Sequence, residues 1–201
     1  MKLKCLYVVI CTILFSGCVS SPPKQKNDIC AIFQEKPNWY AAAVKMKKKF
    51  RVPIHIAMAF MAQESNYKHN ARPPKKYILG FIPWGRLSTA YGYAQAKDST
   101  WKDFQNEINS SASRTNFDNS IMFIGWYINE TQKQLGISKW DSYNQYIAYH
   151  EGRRGYKQKR YQSNLFLKNI AKKVEEQARD YGWQLKKCQK KIDTNRYWSF
   201  W

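Results

Sequence analysis

Breaking a glycosidic bond near neutral pH requires an acid that has kept its proton, and apolar surroundings help a carboxyl group keep it by disfavouring the charged form. Glu64 stands in such a place. It closes the run Pro53-Ile54-His55-Ile56-Ala57-Met58-Ala59-Phe60-Met61-Ala62-Gln63-Glu64-Ser65, apolar on every side except at His55 until its last three residues. That pattern predicts a buried central helix. Glu64 follows Phe60 by four residues and Met61 by three, so it shares their face where the helix leaves the core. Taken alone, a glutamate in this position is more often a structural hydrogen-bonding residue than a catalyst.

Other candidates carry weaker patterns. His55, His69 and His150 lack the HExxH spacing of a zinc site, so neither a metal nor a cofactor is expected. Ser65 has no GxSxG context to make it a nucleophile. The run Arg153-Arg154-Gly155-Tyr156-Lys157-Gln158-Lys159-Arg160 suits anionic ligands, with a solvated charge run as the alternative.

The elements that position Glu64 read as helices. A first helix is predicted over Trp39 to Phe50, its end crowded by Lys45, Lys47, Lys48 and Lys49, where cations suit the helix dipole. Pro53 then fits the first turn of the central helix. Asn66 to Lys97, with Pro73, Pro74, Gly80, Pro83, Gly85 and Gly92, shows no helical period. A structureless stretch of roughly thirty residues is usually functional. Its Tyr77, Phe81, Trp84, Tyr91 and Tyr93 predict a groove wall, with a short hairpin as an option, on which sugar rings can stack. Asp98, Asp118 and Asp141 read as N-caps of helices over Trp101 to Ile108, Ile121 to Leu135 and Tyr143 to His150. Gly152 and Gly155 are expected to stop the last of these. A final helix from about Asn164 to Cys188 is followed by an aromatic tail. The fold class predicted is mainly α (α+β), a helical domain with a long active-site loop or small hairpin.

Three blocks then stand in order: Gln63-Glu64-Ser65, Gly92-Tyr93-Ala94-Gln95 and Ile147-Ala148-Tyr149-His150-Glu151-Gly152. Together they resemble the signature of the soluble lytic transglycosylase (SLT) family, over roughly Trp39 to Tyr156. The resemblance implies a lysozyme-like fold and cleavage of the bond between N-acetylmuramic acid and N-acetylglucosamine in peptidoglycan, closing a 1,6-anhydro ring. It implies that Glu64 is the single catalytic acid and base. Ser65, Tyr93, Gln95, Tyr149, His150 and Glu151 fall at positions lining the substrate, with Tyr149 against the glutamate. Tyr93 and Ala94 replace the usual Leu and Met, His150 the usual Asn and Glu151 the usual Ala. Two alternatives stay open: a lysozyme-type muramidase using Glu151 as a second carboxylate, and a catalytically silent peptidoglycan-binding lipoprotein.

The N-terminus points to export. Lys2 and Lys4 precede the apolar stretch Leu6 to Phe15, ten residues long, where roughly twenty are needed to span a bilayer. Residues 1–17 read as a signal peptide. Phe15-Ser16-Gly17-Cys18 resembles a lipobox, which makes Cys18 the lipidated N-terminus and residues 18–29 a flexible tether; an ordinary leader cut near Cys18 is the alternative. Two cysteines then remain in the domain at 30–190, Cys30 and Cys188, expected to pair in an oxidising compartment, with two free thiols as the alternative. Residues 191–201 are expected as a C-terminal tail. The formal charge is +20, from 34 basic against 14 acidic residues, and implies an acidic partner. Export argues against nucleic acid and leaves peptidoglycan strands and lipid headgroups. Val19 in place of Asp favours the periplasmic face of the outer membrane.

Overall fold

A computed structural model describes residues 21–198. The leader at 1–17, Cys18 and residues 199–201 lie outside the described residues.

The chain runs α1 (Ile29–Glu35), α2 (Pro37–Phe50), α3 (Ile54–Ser65), a hairpin of β1 (Lys75–Ile78) and β2 (Ile82–Arg86), α4 (Asp98–Ile108), α5 (Phe117–Leu135), α6 (Ser142–Lys157), a single 3-10 turn (Arg160–Ser163) and α7 (Leu165–Trp198). This is the mainly α, lysozyme-like architecture expected, and the optional hairpin is present. As its apolar circumference demanded, α3 is central: Ile54, Ile56, Ala57, Met58, Ala59, Phe60 and Met61 are all buried. It lies against α7 and α5, while α2 packs on α5. A close approach makes the second contact possible, because a Cβ on Gly125 would stand 2.5 Å from Cγ of Met46.

Several boundaries differ from expectation, each for a local reason. The tether is not free as far as residue 29. Asp28 caps α1, its carboxylate accepting from the backbone N–H groups of Cys30 and Ala31 at 2.8 and 3.1 Å, and Pro23 is already buried. Tyr181 of α7 donates to the carbonyl of Lys26, and Gln184 accepts from the N–H of Ile29 at 2.9 Å while donating to the carbonyl of Asn27 at 3.0 Å. Pro53 is the N-cap of α3 and not its first turn. Asp98 opens α4 without capping it; its carboxylate is taken by Arg114 at 2.7 Å. Asn116, two residues ahead of Asp118, caps α5 by accepting from the N–H of Asn119 at 3.0 Å. Asp141 caps α6 as read. Gly152, at φ 76° and ψ 152°, kinks α6 instead of ending it, and the helix resumes to Lys157. Helix α7 passes Cys188 and residue 190, because Ile192 is buried and Asp193 accepts from the hydroxyl of Tyr40 at 2.6 Å. Cys30 and Cys188 form a disulfide, tying α1 to α7 across 158 residues of sequence.

Candidate active site

The C-terminal end of α3 is held by its own hydrogen bonds. Ser65 is 6% exposed and its hydroxyl donates to the carbonyl of Met61 at 3.2 Å. Asn66 and Tyr67 both adopt left-handed conformations, which ends the helix and turns Tyr67 back under it. The hydroxyl of Tyr67 then donates to the carbonyl of Met58 at 3.1 Å and lies 3.1 Å from that of Tyr181. Glu64 is thus the last acidic side chain on a fixed support, half-buried between core and solvent. Burial raises its carboxyl pKa to about 7, opposed by a hydrogen bond from the hydroxyl of Tyr146.

The second block forms the opposite side. Gly92 sits at φ 78°, where a Cβ would stand 2.1 Å from the carbonyl oxygen of Arg114; glycine is required both by conformation and by space. Its N–H donates to the carbonyl of Ala71 at 3.0 Å. Gln95 uses its side-chain amide to brace the same turn, donating to the carbonyls of Ala71 and Gly92 at 2.9 and 2.8 Å. With those hydrogens engaged, contact from Gln95 to a substrate must come from Oε1.

Helix α6 supplies the third side. The hydroxyl of Tyr149 donates to the carbonyl of Ala94 at 2.6 Å, linking the third block to the second. Its ring packs edge-on against Phe60 at 5.5 Å and Tyr127 at 4.9 Å. Burial and then the charge of Glu64 push its hydroxyl pKa well up, and the same two causes raise that of Tyr146. The three blocks do converge, since Glu64 acts on tyrosines of α6 and α6 is bonded to the Gly92 turn.

Two expected substrate contacts belong to the core instead. Tyr93 is 1% exposed and packs edge-on against Trp39 and Phe117, both at 5.7 Å. With Ser65, it positions the site and offers no face to a glycan. His150 is exposed, and Glu151 lies 3.8 Å from its Nδ1 and 3.9 Å from Nε of Arg160. The basic run is not wholly available to ligands either. Arg153 stacks on Tyr127 at 4.6 Å, and Arg160 crosses Gly155 to reach the Glu151 carbonyl at 3.5 Å. Tyr146, which touches the central carboxyl, was not singled out from the sequence; the available signal was its place one helical turn before Tyr149. Away from the site, His55 is packed by Gly182 and Trp140, and burial followed by the charges of Lys186 and Lys47 lowers its pKa to about 4. Among the described residues no group of three or more His, Cys, Asp or Glu could hold a metal ion.

Over residues 6–188 the chain matches the family model described as Transglycosylase SLT domain. No curated protein and no solved structure matches it.

Proposed function

Because the chain belongs to the transglycosylase SLT domain family, whose activity is peptidoglycan degradation of the lytic transglycosylase type, we propose that Glu64 is its single acid and base. The observation that carries this reading is the place of the Glu64 carboxyl, half-buried at the end of α3; burial there pushes its pKa up to about 7, opposed by the Tyr146 hydroxyl. A group with that pKa is well suited to giving and taking one proton at neutral pH.

In the proposed cycle Glu64 donates its proton to the glycosidic oxygen as the bond from C1 of N-acetylmuramic acid breaks. The substrate's own N-acetyl group stabilises the positive charge on C1. Ionised Glu64 then takes the proton of the C6 hydroxyl as O6 bonds to C1, closing the 1,6-anhydro ring. The proton returns to Glu64, and no water is consumed. Digestion of purified sacculi tests this: the released muropeptides are expected to carry anhydro ends, lighter by one water than hydrolysis products. Reducing ends would establish a muramidase. That alternative requires a second carboxylate, about 5–5.5 Å from the first in a retaining enzyme and about 6.5–9.5 Å in an inverting one, and the only one in the signature blocks, Glu151, lies 3.8 Å from Nδ1 of His150 and 3.9 Å from Nε of Arg160.

Tyr146 sets the pH range on this reading. Its hydroxyl favours the charged carboxylate, so Tyr146→Phe leaves burial unopposed and raises the Glu64 pKa above about 7. The alkaline limb of the pH–rate profile, where the acid loses its proton, is expected to move up by roughly one unit. A limb that stays in place would remove Tyr146 from this role.

Acylation of Cys18 within the lipobox and anchorage at the outer membrane remain part of the proposal. The mass of the mature N-terminal peptide tests the acyl group.

A further inference from the structure

The hairpin between Glu64 and the Gly92 turn is unlike the rest of the surface. Of the eleven large apolar side chains exposed among the described residues, seven lie between Tyr77 and Leu87. Every residue of β1 and β2 is exposed. Patches of this kind mark interaction sites, and a two-stranded hairpin without packing is marginally stable in water.

Its side chains are arranged in layers. Ile78 pairs with Ile82 at the tip, and the turn between them carries Leu79 and Phe81, 77% and 72% exposed. One step down Tyr77 pairs with Pro83, and Trp84 follows between that pair and the base; both rings are exposed. Lys75, paired with Arg86, and Lys76 form the base. No acidic residue occurs from Asn66 to Lys97. Apolar tip, aromatic belt and cationic base are the order in which acyl chains, the interfacial zone and anionic headgroups meet a protein entering a bilayer surface. Three residues from Lys75 to Ile78 rise about 10 Å, matching the roughly 5–10 Å depth of an interfacial insertion.

The turn itself supports the same conclusion. Leu79 holds φ 53°, a left-handed position in which Asn or Gly is less strained. A leucine there, pointing into solvent, does nothing for the turn. Nor do Ile78, Leu79 and Ile82 suit a sugar, since they have no flat ring to stack on it and no group to hydrogen-bond it.

We propose that the hairpin tip from Ile78 to Ile82 inserts into an anionic lipid surface, with Lys75, Lys76 and Arg86 against the headgroups. This contact requires neither an acyl group on Cys18 nor turnover at Glu64. The test uses the mature chain carrying Cys18→Ser, co-sedimented with vesicles of phosphatidylethanolamine and phosphatidylglycerol, with vesicles of phosphatidylcholine, and with purified sacculi. Binding to the anionic vesicles is expected to exceed binding to phosphatidylcholine and to weaken with salt. Leu79→Asn, which suits the left-handed turn, is expected to reduce it about tenfold. Undiminished vesicle binding by Leu79→Asn overturns the insertion, as does equal binding to both vesicle types. Binding to sacculi that Leu79→Asn weakens, with none to vesicles, overturns it in favour of a wall partner.

Discussion

Sacculi treated with the Glu64→Gln variant are expected to release muropeptides at least about a thousandfold more slowly than with the native chain, in keeping with the contribution of a positioned acid and base. Glutamine keeps the shape of the side chain and still accepts from Tyr146, but it has no proton to give to the leaving oxygen. A stability measurement distinguishes loss of chemistry from loss of fold. Glu64 has a folded pKa near 7 against an ordinary 4.5, so the folded state favours the protonated form. That contribution is present in full below pH 4.5 and is lost as pH rises through about 7. At higher pH the native chain buries a charge, at a cost on the order of 3 kcal/mol, which glutamine avoids. The variant is therefore expected to melt above the native protein at pH 8, with the difference closing towards pH 4.5. Near-native release by Glu64→Gln would remove Glu64 from the mechanism. An inactive variant that melts below the native chain at pH 8 would mean that the end of α3 had lost its structure.

The disulfide carries the second large effect. Cys30 and Cys188 lie 158 residues apart, so the bond restricts almost the whole domain when it unfolds. In the chain-entropy account such a loop contributes roughly 4 to 5 kcal/mol. At about 2–4 °C per kcal/mol for a chain of this size, Cys30→Ser/Cys188→Ser is expected to melt about 10 °C or more below the native protein. Thiol reduction of the native chain should reproduce the loss and leave the double variant unaffected. A loss under about 1 kcal/mol in denaturant titration would mean that the Tyr181 and Gln184 bonds hold residues 26–29 unaided.

What the sequence made legible was strongest where one physical signal dominated. Helix α3 was readable because burial on nearly every side leaves an apolar run interrupted only by His55, and Glu64 because polarity returns abruptly where the helix emerges. Cys30 and Cys188 were the pair left once the leader and Cys18 were set aside. Helix α1 was hidden because a helix of seven residues shows too few turns for a period to be seen, and its cap Asp28 sits in a polar stretch. The end of α7 was hidden because Ile192 is a lone apolar residue in the polar run Gln189 to Thr194, so the pattern stops at Cys188. Loop aromatics have no period at all. Tyr93 and Trp84 looked alike in sequence, yet one is locked between Trp39 and Phe117 and the other faces solvent; only the path of the backbone separates them. Tyr146 was overlooked for a different reason, since the block that resembles the family begins one residue after it.

The docking of residues 26–29 against α7, with Pro23 already buried, also sets a working distance. Four residues separate Cys18 from Pro23, which makes five steps, and an extended chain spans about 3.5 Å per step. An acyl group on Cys18 would therefore keep the domain within about 17 Å of the lipid that holds it. Glycan would have to come to the enzyme: strands lying beside the membrane would be cut, while those deeper in the wall would stay out of range.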